Sequence, residues 1–174
     1  MSNIYFYKFI VNNQVFYKSQ YTYALVNLKP LVPGHVLIVP LRTSVYNLAD
    51  LTIHESIDYM NTLQLIHRFI KHVYKADSLN IAIQDGPESG QSIPHLHTHI
   101  IPRYKLDGYG DGIYSKLEQK DLLGEWSARR DSFMSSGGFS PVDDDQRVAR
   151  TLDVMAKEAL WLKDELARYT SSST

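Results

Sequence analysis

Hydrophobic and polar positions alternate along much of the first hundred residues, which predicts a series of β-strands. Residues 4–10 and 14–18 are rich in β-branched and aromatic side chains, and Asn12-Asn13 between them favours a hairpin turn. Four further strands are predicted, at residues 23–27, 35–40, 79–84 and 95–103. The pattern therefore predicts an antiparallel sheet of five or six strands.

Two other segments have apolar residues at helical spacing. Thr52 and Glu55 have the form of a capping box, which marks the start of a helix. Apolar residues then follow at intervals of three or four, namely Ile57, Met60, Leu63, Ile66, Ile70 and Val73. We expect this long helix to end near Ala76 and to lie across the sheet. Together with a C-terminal helix beginning at residues 143–145, it places the chain in the α+β class.

These patterns divide the chain into a core and three C-terminal parts. Residues 1–103 carry the predicted strands and the long helix, so they form the domain core. Residues 104–142 are rich in glycine and serine, which predicts a flexible loop. Residues 143–170 are predicted to form a helix packed on the same domain, followed by a disordered tail at residues 171–174.

Composition narrows the possible functions. The 174-residue chain has no cysteine, which excludes disulfides, thiolate zinc sites and cysteine nucleophiles. Its 18 basic and 19 acidic residues give no basic surface of the kind that grips nucleic acid. No apolar run approaches the roughly 20 residues that span a bilayer, and the first residues do not resemble a secretory leader. We expect an intracellular protein, cytoplasmic or cytoplasmic and nuclear, without nucleic-acid or membrane partners.

Three of the seven histidines fall within five positions, at His95, His97 and His99. Alternate side chains of a strand share a face and lie about 7 Å apart, so the three imidazoles should lie together. Imidazole is well suited to nucleophilic and proton-transfer chemistry near neutral pH. The alternatives are a zinc site and a polar strand face without chemistry.

The loop before the histidines favours phosphate chemistry over zinc. Residues 85–92 supply glycines, a side-chain amide, hydroxyls and exposed backbone N–H groups. Such groups bind phosphate oxygens, and a zinc hydrolase would not require them.

The sequence HLHTHII at residues 95–101 resembles the His-x-His-x-His-x-x signature of the histidine-triad (HIT) superfamily, in which x is apolar and Thr98 is the one departure. Residues 83–103 and 24–40 are similar to the Fhit branch, the dinucleoside polyphosphate hydrolases. The resemblance extends over roughly residues 4–118. It implies that the core is a HIT catalytic domain.

The resemblance implies hydrolysis of diadenosine triphosphate, and of related dinucleoside polyphosphates, to AMP and ADP. His97 would attack the α-phosphorus and form a nucleotidyl-histidine intermediate, and His99 would donate a hydrogen bond to a phosphate oxygen. His95 and His35 would orient these two. A magnesium or manganese ion would arrive with the substrate phosphates, and no metal site of the protein's own is expected.

The same resemblance assigns nucleotide contacts. The side chains of Gln91 and Ser92 would contact the phosphates, and Asn27 and Gln84 correspond to family positions near the ribose and phosphates. The backbone lining the same channel would be that of Gly90, Ser92 and Ile93. The adenine would stack among four side chains of the N-terminal strands, Tyr5, Ile10, Leu25 and Leu37.

The family is dimeric through its long helix and an edge strand, which implies a two-fold homodimer with a continuous sheet. Two other functions stay open. A Hint-like phosphoramidase, or a nucleotidyl-sulfate hydrolase, would use the same attacking histidine with a different leaving group. A dinucleotide-binding signalling protein would bind the substrate and turn it over slowly.

Overall fold

The computed structural model describes residues 2–118 and 149–172. Within them the strands are β1 (Tyr5–Phe6), β2 (Phe9–Ile10), β3 (Val15–Lys18), β4 (Thr22–Val26), β5 (Val36–Pro40), β6 (Ser78–Ile83) and β7 (Thr98–Arg103). The α-helices are α1 (Ile53–Val73), α2 (Gly112–Glu118) and α3 (Leu152–Ser172). Short 3-10 helices lie at Asn12–Gln14, Leu48–Asp50 and Pro87–Ser89.

Strands β3 to β7 form one antiparallel sheet in the order β3-β4-β5-β7-β6, and β1 pairs with β2 as a separate hairpin. The predicted α+β class and the predicted antiparallel sheet of five or six strands are therefore confirmed, with five strands in the main sheet. Helices α1 and α3 cover one face of the sheet, where they bury the main core. No helix within the described residues is both long enough and apolar enough to cross a membrane.

The strand register separates the two faces of the sheet. Leu37 of β5 lies opposite Leu25 of β4 on one side and opposite His99 of β7 on the other. These three residues therefore form a row on the face away from the helices, where Leu25 and Leu37 pack with Phe6 of the hairpin. The row places the third histidine of the triad beside an apolar patch.

The long helix begins as the sequence predicts. Thr52 Oγ1 accepts the Glu55 backbone N–H, and Glu55 Oε2 accepts the Thr52 N–H. Arg42 donates to both carboxylate oxygens of Glu55, at 2.8 and 2.7 Å, and these bonds lower the Glu55 pKa to about 2. A cap of this kind contributes about 1 kcal/mol to helix stability.

The predicted apolar face of α1 is partly wrong. Ile57 and Met60 are more than half exposed, at 55% and 52%, whereas Tyr59 and Thr62 are buried. The buried face of α1 differs from the predicted one because polar side chains of the helix form hydrogen bonds in the core. Tyr59 Oη, for example, donates to the Ile38 carbonyl oxygen at 2.9 Å.

The prediction of one strand over residues 4–10 with a turn at Asn12-Asn13 is also wrong. The segment folds back on itself at Tyr7, whose φ of 56° is left-handed. Asn12 lies in a 3-10 helix and its Oδ1 accepts the Ile4 N–H at 2.8 Å, which closes the base of the small hairpin. This arrangement lays the hairpin over the second face of the sheet.

The last strand begins at Thr98 and not at His95. The His95 N–H donates to the Ile93 carbonyl oxygen and the Leu96 N–H to that of Val45, so this stretch leaves the regular ladder. Leu96 still packs in the main core on the helix side. The alternation expected of a strand therefore persists through the triad.

The C-terminal boundaries differ from those predicted. Residues 104–118 are structured, since Arg103 and Asp107 form an ion pair at 2.7 Å and helix α2 follows. The final helix begins at Leu152, because Thr151 Oγ1 accepts the Val154 N–H and residues 149–151 are not helical. It continues to Ser172, into the tail predicted to be disordered. Residues 119–148, with most of the predicted loop and the predicted helix start, lie outside the described residues.

Candidate active site

The geometry around His97 fixes which nitrogen can act as a nucleophile. This side chain precedes β7 and is only 5% exposed. Its Nδ1–H donates to the His95 carbonyl oxygen at 2.8 Å, so in the neutral ring the lone pair lies on Nε2. Burial lowers the pKa of His97, which favours that neutral form at physiological pH.

His95 is held by the backbone on both sides of its ring. Its Nδ1 accepts the Tyr7 N–H at 2.9 Å, and its Nε2–H donates to the Pro40 carbonyl oxygen at 3.0 Å. Burial, with a smaller effect of His97, lowers its pKa to about 4. His95 is thus a neutral, fixed residue that ties the hairpin to the triad.

The same contacts disfavour a shared zinc site. Both nitrogens of His95 are engaged with backbone groups, so this ring offers no lone pair to a metal. Within residues 2–118 and 149–172, no group of three or more histidine or acidic side chains is arranged to hold a metal ion.

His35 and His99 form a relay with a defined proton order. The Leu31 N–H donates to His35 Nδ1 at 3.0 Å, which places the proton of neutral His35 on Nε2. This Nε2–H donates to His99 Nδ1 at 2.9 Å. Neutral His99 then carries its proton on Nε2, where it can donate to a ligand. The rings of His97 and His99 meet edge to face, with centroids 5.0 Å apart.

Asn27 lies at the start of the turn that leads to His35. Its Oδ1 accepts the Lys29 N–H at 3.0 Å, and its Nδ2 lies 3.2 Å from His35 Nε2. Asn27 therefore caps this turn and lies beside His35.

The predicted phosphate loop is held by one of its own members. The Gln91 side chain is buried, its Oε1 accepts the Gly86 N–H and its Nε2 donates to the Tyr46 carbonyl oxygen, both at 2.9 Å. Gly90 is left-handed, with φ of 87°. Gln91 could reach a phosphate only by exchanging these bonds, so here its side chain shapes the loop.

The other predicted loop residues are more open to a ligand. Ser92 and Ile93 are half-buried, and Ile93 packs against the apolar cluster of the second sheet face. The Nε2 of Gln84, just after β6, is buried and has no hydrogen-bond partner among the described residues. A buried amide N–H of this kind is a natural donor to a bound nucleotide.

The four residues predicted to hold the adenine form two cross-strand pairs. Tyr5 lies opposite Ile10 in the hairpin, and Leu25 lies opposite Leu37 in the sheet. Leu25 and Leu37 are buried, whereas Tyr5 and Ile10 are exposed. Tyr23 Oη donates to the Tyr5 carbonyl oxygen at 2.9 Å and joins the two pairs.

Phe6 is a site residue that the sequence did not indicate. Its ring lies 5.7 Å from that of His95 and 5.3 Å from that of His97, measured between centroids. It is buried in the second apolar cluster. Its position depends on the turn at Tyr7, for which the sequence carries no glycine or asparagine signal.

The HIT domain family matches residues 9–106 of the chain. The chain belongs to the HIT domain family. The matched region contains the triad, His35, Asn27 and the loop of residues 85–94. The predicted family is therefore confirmed.

Named relatives place the chain in the Fhit branch. A bis(5'-adenosyl)-triphosphatase of Saccharomyces cerevisiae is 57% identical over 194 aligned positions, covering 97% of this chain and 94% of the relative. A bis(5'-nucleosyl)-tetraphosphatase (asymmetrical) of Schizosaccharomyces pombe is 41% identical, covering 92% of each chain. The crystal structure of Plasmodium falciparum diadenosine triphosphate hydrolase in complex with cyclomarin A matches with a TM-score of 0.64 at 27% identity, covering 90% of this chain and 78% of the other.

Proposed function

We propose that the protein hydrolyses diadenosine triphosphate, and related dinucleoside polyphosphates, with His97 as the nucleophile. One observation carries the proposal. The His95 carbonyl oxygen accepts the Nδ1–H of His97, which leaves the Nε2 lone pair of a neutral imidazole available for attack. The names of the yeast relatives and of the Plasmodium structure support the substrate class.

The first step transfers a nucleotidyl group. His97 Nε2 attacks the α-phosphorus, an N–P bond forms, and the bridging P–O bond breaks to release ADP. The transferring phosphoryl group needs positioning and neutralisation of charge more than covalent assistance. His99 Nε2–H, ordered by His35, donates to a phosphate oxygen and stabilises the developing charge.

The second step returns the nucleophile to its starting form. Water attacks the phosphorus of the nucleotidyl-histidine, the N–P bond breaks, AMP leaves, and the proton of the water is released. His97 Nδ1 stays bonded to the His95 carbonyl oxygen throughout, so the ring needs no rotation between the steps.

The remaining binding groups surround the phosphates and ribose. We assign the Gln84 amide, Asn27, Ser92 and the backbone of Gly90 to these contacts. Asp85 Oδ1 accepts the Asn47 Nδ2–H and the Leu48 N–H, so this carboxylate supports a neighbouring loop. A magnesium or manganese ion would bind with the substrate phosphates and neutralise part of their charge.

Product analysis tests the function. We expect the parent protein, with diadenosine triphosphate and magnesium, to yield AMP and ADP in equal amounts by chromatography. His97→Ala should lower the rate at least about a thousandfold, and His54→Ala, an exposed histidine of α1, should leave it unchanged. Cleavage of adenosine phosphoramidate alone would move the protein to the Hint-like function, and binding without cleavage would favour the signalling function.

We further propose a two-fold homodimer through α1 and β6. Ile53, Ile57 and Met60 lie one helical turn apart on α1 and are all more than half exposed. Ile81 of β6 is 42% exposed and pairs with Ile100 of the helix-covered face, so it lies on the same side of the sheet as this row. Strand β6 is also an edge strand, able to pair with a copy of itself.

Ultracentrifugation tests the dimer. The parent should sediment as a dimer, and Ile57→Glu should sediment as a monomer with retained helical circular dichroism. Leu160→Glu places the same change at an exposed position of α3 and should leave the dimer intact. A monomeric parent, or a dimeric Ile57→Glu protein, would contradict the proposal.

Location in the cytoplasm, alone or with the nucleus, stays a prediction from the sequence. Microscopy of a fluorescent fusion tests it, and confinement of the fusion to another compartment would contradict it.

A further inference from the structure

The residues just before α3 contact the first residues of the turn formed by residues 27–35. Arg150, just before α3, donates from Nε and Nη2 to the Asn27 carbonyl oxygen, at 3.1 and 2.5 Å. Its backbone N–H donates to the Leu28 carbonyl oxygen at 3.0 Å. Three hydrogen bonds from one residue therefore hold the backbone at the position proposed to meet the nucleotide.

The same segment reaches the end of that turn through Glu158 of α3. Glu158 accepts hydrogen bonds from Arg150 Nη1 and from Tyr74 Oη. Burial, and next the nearby Glu158 carboxylate, raise the pKa of Tyr74, so its hydroxyl stays a donor. The Tyr74 ring packs against Gly34, where an added Cβ would lie only 2.7 Å from the ring. Gly34 directly precedes His35.

The contacts of Arg150 and Glu158 hold the two ends of a turn, and each end carries a residue with a proposed role. Asn27 lies at one end, where its side chain faces His35 Nε2. His35 lies at the other end, where it sets the proton position on His99. Arg150 bonds to the Asn27 end of this turn, so its loss should displace the nucleotide contact more than the histidine relay.

We propose that Arg150 is a positioning residue that holds Asn27 in place for the nucleotide, with Glu158 as its partner. The inference rests on the proposed function, because it assigns Arg150 an effect on the binding of the same substrate. It adds a residue outside the region matched to the HIT domain, which ends at residue 106. The C-terminal helix is thereby part of the binding apparatus as well as of the core.

Burial separates this pair from an ordinary surface ion pair. The side chains of Arg150 and Glu158 are 20% and 17% exposed. The Arg168–Glu165 pair lies within α3, and its arginine is 73% exposed. Exposed pairs contribute little, whereas a shielded arginine bonded to a carbonyl oxygen fixes backbone position. Arg168→Ala is therefore a matched control.

Steady-state kinetics with diadenosine triphosphate give the first readout. We expect Arg150→Ala to raise KM on the order of tenfold, with kcat changed less than about threefold, because charge-assisted hydrogen bonds to the binding turn are lost. Arg150→Lys should recover part of the affinity, and Glu158→Gln should raise KM less than Arg150→Ala does. Arg168→Ala should match the parent. A merely structural role would lower kcat through loss of folded protein and leave KM unchanged.

Amide hydrogen exchange of the free protein gives a second readout that needs no substrate. The Lys29 N–H, bonded to Asn27 Oδ1, and the Leu31 N–H, bonded to His35 Nδ1, report on the turn. We expect faster exchange of both in Arg150→Ala, with α1 unchanged, and no change in Arg168→Ala. If either the exchange of these amides or the KM of Arg150→Ala equals that of the parent, the inference is wrong.

Failure of the inference differs from failure of the proposed function. A parent that does not cleave diadenosine triphosphate rejects the function, and unchanged exchange of the turn amides rejects the bracing by Arg150 whatever the parent cleaves. If Arg150→Ala is unfolded, Glu158→Gln and Arg150→Lys carry both readouts, and the inference then fails if neither variant alters KM or the exchange of the turn.

Discussion

The carbonyl oxygen of His95 accepts the Nδ1–H of His97 at 2.8 Å, so the backbone of one triad histidine fixes the tautomer of the next. The His95 ring itself has the opposite tautomer, because its Nδ1 accepts the Tyr7 N–H and its Nε2–H donates to Pro40. The spacing of two residues therefore brings a backbone acceptor to the nucleophile as well as placing the rings on one face.

Nitrogen-15 NMR of the imidazoles tests these proton positions. At pH 7 we expect the proton of His97 on Nδ1 and the protons of His95, His35 and His99 on Nε2. The His95 carbonyl oxygen and the N–H groups of Tyr7 and Leu31 set the first three rings, and His35 Nε2–H sets that of His99. Long-range proton–nitrogen spectra distinguish the two tautomers directly. A proton on Nε2 of His97 in the free protein would contradict the assignment of the nucleophilic nitrogen.

Stability should fall as the pH drops below neutral. The folded protein holds the pKa of His95 at about 4, against 6.5 when exposed, so between these values the unfolded chain binds a proton that the folded chain does not. The stability contributed by neutral His95 is complete above pH 6.5 and is lost as the pH falls toward 4, for a total of about 3 kcal/mol. The lowered pKa of His97 acts in the same direction.

Urea unfolding between pH 7.5 and pH 4.5 measures this loss. The free energy of unfolding should decrease by up to about 1.4 kcal/mol per pH unit for each histidine, with an unchanged m-value. The exposed-site variant His54→Ala should follow the same curve as the parent. A free energy of unfolding that is constant over this range would contradict the burial of neutral histidines.

Removal of Phe6 should loosen the triad. Its ring covers both His95 and His97, and burial is the largest cause of the lowered pKa of each. We expect Phe6→Ala to cost about 3 kcal/mol of stability and to raise the pKa of His95 toward 6.5 as water enters. An NMR titration measures the pKa.

Phe9→Ala is the matched control, since Phe9 belongs to the same hairpin and is 45% exposed. Phe9→Ala should change the stability of the protein and the pKa of His95 little. Equal effects of the two substitutions would mean that Phe6 acts through the hairpin as a whole and not through its contact with the histidines.

The polar departure in the triad, Thr98, has a structural partner. Its Oγ1 lies 2.6 Å from Tyr59 Oη, and Tyr59 donates its own proton to the Ile38 carbonyl oxygen, so Thr98 is the donor to Tyr59. Tyr59→Phe and Thr98→Val should each cost about 1–2 kcal/mol, because a buried polar group loses its partner. The double variant should cost less than the sum, by about 1 kcal/mol. Additive losses in urea unfolding would contradict a direct bond.

Much of the fold could be predicted because its signals are local. The capping box at Thr52 and Glu55 marks the start of α1, and the His-x-His-x-His spacing places the triad on one face even where the ladder is interrupted. The long-range contacts could not be predicted in this way. Tyr7 takes a left-handed φ where its N–H meets His95, 88 residues away, and Arg150 bonds to Asn27 across 123 residues. No local pattern encodes either contact.

The apolar face of α1 shows a different limit. Periodicity places Ile57 and Met60 on the apolar face and does not include Tyr59 or Thr62, whereas the structure exposes the first two and buries the other two. Hydroxyl groups that find partners inside can be buried, while apolar groups can be exposed where a second subunit is proposed to cover them. Hydrophobicity alone does not distinguish these situations.

Rapid mixing with diadenosine triphosphate, followed by an alkaline quench and mass spectrometry of the peptides, tests the proposed chemistry most directly. The proposal predicts a transient AMP adduct on the peptide that contains His97, formed as ADP is released and absent from His97→Ala. Formation of AMP and ADP in the parent with no adduct at any mixing time, or with the adduct on another residue, would contradict the role of His97 as the nucleophile.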